Sequence, residues 1–208
     1  MDKNGTLWIM TNGDGLFRLE NPYELNPEKL KYEQYKGGKL SDRIFHGTVV
    51  DDELYFVTDP DIKKYNSQEN TFSSYSPKDL VRYFAFTTVL EDKKGDIWFG
   101  TYHGGLYRYI KEKGEFKIYD ARDGIADNWV TSIFEDSKGN IWVGSWGKGI
   151  TKISDEGIKI FNKENGLQGL KIKNISEDFE GNILLASYNN GLIVFKGETF
   201  ETYGKKEG

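Results

Sequence analysis

The run "EDKKGDIWFGTYHGGLYRY" at 91–109 returns forty-four residues later as "EDSKGNIWVGSWGKGITKI" at 135–153. Repetition at such a distance means a chain assembled from copies of one supersecondary unit, and the period says which unit. Apolar runs ending on a small residue close at Thr11 ("LWIMT"), Thr58 ("LYFVT"), Thr101 ("IWFGT"), Ser145 ("IWVGS") and Ser187 ("ILLAS"), at spacings of 47, 43, 44 and 42. Units of that length holding several short strands read as the blades of a β-propeller, each a four-stranded antiparallel sheet. The expected fold is therefore all-β, with about five blades at 1–40, 41–80, 81–124, 125–167 and 168–208. The composition points the same way, since 15% aromatic residues and 24 glycines suit short strands and tight turns better than long helices.

One copy can be read strand by strand. "VTSIFED" (130–136) is the innermost strand, and Gly139 in the following turn supplies the left-handed conformation that a short hairpin demands. "NIWVGS" is apolar on both faces, as a strand covered from both sides must be. A hairpin at "WGKG" returns through "ITKI" (150–153), and a turn at Asp155-Glu156-Gly157 leads to "IKIF" (158–161), whose alternating polar positions suit an outer strand.

This order, "I-x-E-D-x-x-G-N-I-W-x-G-[TS]" followed by a glycine hairpin, a short apolar strand, an outer strand and a closing "N-G-L", resembles the two-component regulator propeller repeat. The pattern is clearest at 89–124 and 133–167, with looser copies at 2–19, 49–75 and 175–203. Two copies depart from it: Tyr55 and Leu184 stand where the others carry tryptophan, and the second copy has a shortened turn at "VVDDELYFVT". An insertion, "ENPYELNPEKL", reads as a surface loop with two of the four prolines. The first copy has no innermost strand ahead of its turn, and only "GKKEG" follows the last outer strand "FETY" (200–203). Because an open ring exposes apolar blade faces, the expectation is part of a larger propeller, for instance seven-bladed, whose partners are further blades or a second copy of the chain.

Comparing the copies separates what every blade needs from what one blade has. The acidic pairs Glu91-Asp92, Glu135-Asp136 and Glu177-Asp178 recur at blade spacing. They therefore answer a turn requirement, with Asp accepting backbone hydrogen bonds beside the glycine, and not a catalytic one. Trp8, Trp98 and Trp142 recur as blade-core anchors by the same reasoning. The glycine clusters Gly13-Asp14-Gly15, Gly104-Gly105 and Gly147-Lys148-Gly149 lack the spacing of phosphate-binding loops and read as hairpin turns. With no cysteine and only His46 and His103, no metal or other cofactor is expected, and Asp120, Asp123 and Asp127 miss the calcium-loop spacing. A net charge of −5 with no basic block argues against nucleic acid, and no stretch is apolar for long enough to span a bilayer as a helix.

What varies between copies sits in two loop sets that open on the same face of a propeller. The inter-blade loops hold Arg43, Arg82, Tyr83, Asn128, Trp129 and Lys171, and the hairpins hold Tyr102, His103, Trp146, Lys148, Tyr188 and Asn189. Aromatic faces interleaved with cationic and amide donors suit a ligand with apolar ring faces and hydroxyl or carboxylate edges, such as an oligosaccharide; packing of adjacent loops is the plain alternative. The family resemblance implies a non-enzymatic sensor region of a membrane-bound hybrid histidine kinase or related regulator, lying in the periplasm and often responsive to polysaccharide breakdown products. Ligand or blade-to-blade contact would shift a dimer, and transmission would depend on parts outside this sequence. Two alternatives remain: a scaffold that binds another protein on the same face, and a lyase resembling the streptogramin-cleaving group, with a histidine base in a deep pocket.

Overall fold

The computed structural model describes residues 5–24, 26–36, 40, 43–50, 53–58, 62–75 and 86–204. Five antiparallel sheets follow one another along the chain. The first has three strands, β1 (Leu7–Met10), β2 (Leu16–Leu19) and β3 (Tyr32–Tyr35). The second comprises β4 (Ile44–Val50), β5 (Glu53–Thr58), β6 (Ile62–Asn66) and β7 (Thr71–Tyr75). The third comprises β8 (Phe86–Glu91), β9 (Ile97–Thr101), β10 (Leu106–Ile110) and β11 (Glu115–Tyr119). The fourth is built of β12 (Val130–Glu135), β13 (Ile141–Ser145), β14 (Ile150–Ser154) and β15 (Gly157–Phe161). The fifth is built of β16 (Ile172–Glu177), β17 (Ile183–Ser187), β18 (Gly191–Phe195) and β19 (Phe200–Tyr203). Each sheet is a meander in sequence order, as the repeat predicts, and among the described residues the first sheet has no inner strand. The shortened turn at Asp51 and Asp52 lies outside the described residues. Two compact units divide the chain at 1–89 and 90–208, the division falling within β8.

The repeated residues earn their recurrence in the turn between inner and second strands. Asp136 Oδ1 accepts the amides of Lys138 and Asn140 at 3.0 and 2.8 Å, and its Oδ2 accepts the Trp142 indole N–H at 2.8 Å. Asp92 repeats this with Lys94, Asp96 and Trp98. Asp178 holds Glu180 and Asn182 in the same way, and with Leu184 in the tryptophan position its Oδ2 is met by the Asn182 side chain at 2.8 Å. Gly95, Gly139 and Gly181 all turn at φ near +80° (82, 81 and 83°), a conformation closed to most side chains. The glutamates do something different. Glu135 accepts the Lys93 amide of the preceding sheet's turn at 2.8 Å, and Glu177 accepts the amide and hydroxyl of Ser137 at 2.7 and 2.8 Å. The Asp shapes its own turn, and the Glu beside it latches one blade to the one before.

Packing repeats as well. The second-strand tryptophan stacks on the last residue of the fourth strand, Trp98 on Tyr119 and Trp142 on Phe161, at 5.9 and 5.8 Å between centroids. Opposite it on the third strand stands a cation, Arg108 over Trp98 at 5.0 Å and Lys152 over Trp142 at 5.9 Å. Where Leu184 replaces the tryptophan, its cross-strand partner becomes Val194. In unit 90–208 one core of Trp98, Leu106, Ile133 and Val143 fills the space between the third and fourth sheets, and a second of Trp142, Ile150, Ile172 and Leu185 lies between the fourth and fifth. Unit 1–89 has its own core of Trp8, Leu16, Phe56 and Tyr65. β9 and β13 are buried at every position, as their two-faced apolar pattern requires. β17 is not: Ala186 is exposed, and Leu192 beside it is 42% exposed where its counterpart Ile150 is 0%.

Candidate ligand-binding site

In the first, third and fourth sheets the hairpin between second and third strands is set by the small residue that closes the apolar run, Thr11, Thr101 or Ser145. Thr101 Oγ1 donates to the Gly105 carbonyl at 2.8 Å and accepts the Gly104 amide at 2.9 Å; Ser145 does the same with Gly149 and Lys148. The hydroxyl thus closes the loop on itself and leaves the next residue, Tyr102 or Trp146, to project from it. These projecting residues pair with the inter-blade loops through isolated bridges, Tyr102 with Trp129 and Trp146 with Lys171. The Trp146 amide donates to the Trp129 carbonyl at 3.1 Å, and the Tyr188 amide donates to the Lys171 carbonyl at 2.8 Å. A single backbone thread therefore runs through Tyr102, Trp129, Trp146, Lys171 and Tyr188.

The rings follow the thread. Tyr102 meets Trp129 edge-on at 4.2 Å, Trp129 stacks on Trp146 at 5.1 Å, and Trp146 meets Tyr188 at 5.2 Å. His103 packs on Tyr102 and Trp129 at 4.2 and 5.4 Å. Its φ of 130° matches that of Gly13 (131°) in the first hairpin, so a histidine is held where another copy uses glycine. Such strain is tolerated where the surroundings hold it in place, and it collects at functional sites. Tyr102 and Tyr188 are 44% and 59% exposed, and both tryptophans are half-buried. The result is a row of aromatic edges and faces, fixed from the backbone, with open sides.

The remaining residues of the expected set take other places. Lys148 lies 4.0 Å from Asp127, and Asn189 is exposed in its turn. Asn128 spends its side-chain oxygen on the Ala121 amide at 2.8 Å and its backbone carbonyl on the Gly105 amide at 2.9 Å, which ties two loops together. Arg43 belongs to unit 1–89, where it donates to Asn12 at 3.3 Å and lies over Phe45. Arg82 and Tyr83 lie outside the described residues. Sequence reasoning missed Lys173, which sits 4.7 Å from the Trp146 ring and 5.5 Å from Tyr188. It occupies a β-bulge where the register slips between Ile172 and Asn174, as it does between Val130 and Ser132 and between Ile44 and His46. The bulged residues are Phe45, Thr131 and Lys173, and this change at a fixed place in a recurring strand was the available signal.

Burial pushes the pKa of His46 in β4 below its usual value, partly offset by a hydrogen bond with the Val89 backbone. Among the described residues neither histidine is ion-paired with a carboxylate, and no group of three or more His, Asp or Glu is placed to hold a metal ion. A cleft of about 240 Å³ is lined by Lys152, Glu156, Lys159, Phe161 and Phe195, and by no residue of the aromatic row. Among the described residues no helix is long and apolar enough to cross a membrane.

Repeated antiparallel meanders, the third latched to the fourth and the fourth to the fifth, are the units of a β-propeller. Residues 84–103 and 124–147 match the model of the family described as two component regulator propeller. Over its whole length the chain resembles the extracellular domain of a putative hybrid two component system from B. thetaiotaomicron, with 25% identity and a TM-score of 0.79, and spans 28% of that protein. A second such domain from the same organism gives 21% identity and a TM-score of 0.78 over 98% of this chain and 30% of the other. Virginiamycin B lyase from Staphylococcus aureus shares the fold at 15% identity and a TM-score of 0.71, over 98% of this chain and 68% of the lyase. No curated protein matches. The chain thus spans less than a third of the length of the extracellular domains it resembles.

Proposed function

We propose that this chain is part of the extracytoplasmic, periplasmic input region of a two-component sensor, and that the row Tyr102, Trp129, Trp146 and Tyr188 binds an oligosaccharide without transforming it. The observation that carries this is the fixed spacing of the rings by main-chain hydrogen bonds, which spares a ligand the cost of ordering them. Aromatic faces stack on the apolar faces of sugar rings, and an ammonium such as that of Lys171 and the tyrosine hydroxyls are donors of the kind that hydroxyl edges accept. The likeness to extracellular sensor domains supports the reading. The lyase shares only the fold, and the depressed pKa of His46 is traced to burial, with no carboxylate partner among the described residues to make it a general base. The exposed outward face of β17 and β18 supports a further blade packing there, as the fifth sheet packs on the fourth.

The test is isothermal titration of the 208-residue chain with a panel of neutral and acidic oligosaccharides, together with Trp146→Ala. Saturable binding weakened at least about tenfold in the variant, a loss of roughly 1.4 kcal/mol, supports the reading. Binding unchanged in Trp146→Ala, or absent for the whole panel, would remove the row from consideration and favour a protein-binding scaffold.

A further inference from the structure

We propose that Lys171 and Lys173 make the Trp146–Tyr188 end of the row a subsite for an acidic sugar, one bearing a carboxylate or a sulfate ester. The inference rests on the oligosaccharide reading and narrows its ligand class. Lys171 Nζ lies 5.1 and 5.9 Å from the Trp146 and Tyr188 ring centroids, and Lys173 Nζ lies 4.7 and 5.5 Å from the same two rings. Two ammonium groups therefore crowd one pair of rings. Among the described residues neither has a carboxylate partner, although Lys36, Lys64 and Lys196 pair with Asp14, Glu53 and Glu201. In a chain of net charge −5, uncompensated neighbouring cations are not the product of general basicity. Their mutual repulsion is relieved when an anion enters between them, and each can then form a charge-assisted hydrogen bond to it.

The backbone holds both in place. Lys171 bridges Trp146 and accepts the Tyr188 amide, and Lys173 is carried to the same rings by the bulge at the start of β16. The equivalent bulge residue of the fourth sheet is Thr131, whose hydroxyl is spent on the Ile172 carbonyl, so the fifth sheet carries a cationic pair where the fourth does not. A sugar ring lying on Trp146 or Tyr188 would present an exocyclic acid to both ammonium groups at once.

Calorimetric titration of the 208-residue chain with three oligosaccharides of equal length distinguishes the sources of the acid: an oligogalacturonate, a sulfated galactan fragment and a neutral galactan fragment. The expected result is that one acidic ligand binds at least about tenfold more tightly than the neutral one. The Lys171→Ala/Lys173→Ala double variant should lose that preference, its acidic affinity falling to that of the neutral ligand, while the corresponding double Arg variant should keep the preference. The preferred acidic arm then identifies carboxylate or sulfate. If acidic and neutral ligands bind equally and the double Ala variant changes nothing while Trp146→Ala abolishes binding, the lysine subsite falls and the oligosaccharide reading stands. If none of the three binds, both fall.

Discussion

Asp136 shows how much one recurring residue can hold. Burial disfavours its ionised form most strongly, yet donors from Trp142, Asn140 and Lys138 together bring its pKa below the usual value. Asp136→Ala leaves those buried donors unmet and should cost about 1–3 kcal/mol in urea denaturation, and Trp142→Phe, which loses the indole N–H and leaves a gap where the second ring of the indole packed, should cost about as much. His46 gives the opposite charge logic. Burial lowers its pKa in the folded chain from 6.5, so the unfolded state binds the extra proton. The stability it contributes is complete above that value and is lost as pH falls through it toward the lower folded pKa. Melting temperature should therefore drop from about pH 7 to about pH 5, and His46→Gln should flatten that part of the profile. Both residues were visible in the sequence. The Asp was readable because it recurs beside a turn glycine; the burial of His46 was not, because nothing local to it announces which strand covers it.

At the scale of the hairpin, the glycines divide into two kinds. Gly149 has φ +97°, and a Cβ there would stand 2.2 Å from the Phe161 carbonyl; Gly105 and Gly191 face Tyr119 and Tyr203 in the same way at 2.3 Å. The glycine opening the third strand is thus required by the end of the fourth. Gly147, two residues earlier, would meet nothing within 4 Å. Gly149→Ala should lower stability by about 1–3 kcal/mol, with loss of β15 amide protection, and Gly147→Ala should stay within about 0.5 kcal/mol. Sequence reasoning assigned all such clusters to hairpin turns, which is where they lie. It could not separate the two kinds, because the clash comes from a strand some twelve residues away. The acidic pairs teach the same lesson: Glu135 and Glu177 look like part of the turn beside them and instead bond to the preceding blade.

Across unit 90–208, the sheets stabilise one another as neighbours in a stack, so a sheet packed on both faces should open less readily than one packed on one face. β13 is buried throughout, while β17 has an outward face with Ala186 exposed. Amide exchange in β13 should be slower than in β17, and equal rates would argue against stacking as the source of protection. Sequence alone determined the repeat, the strand order, the turns and the candidate rim residues of the hairpins and inter-blade loops, because each depends on contacts within one blade copied several times. Only the tertiary structure decided which rim residues meet. Trp129 and Trp146 lie on loops of separate turns, and Lys173 enters the row through a bulge; their convergence is fixed by how successive sheets pack, information that no single repeat contains.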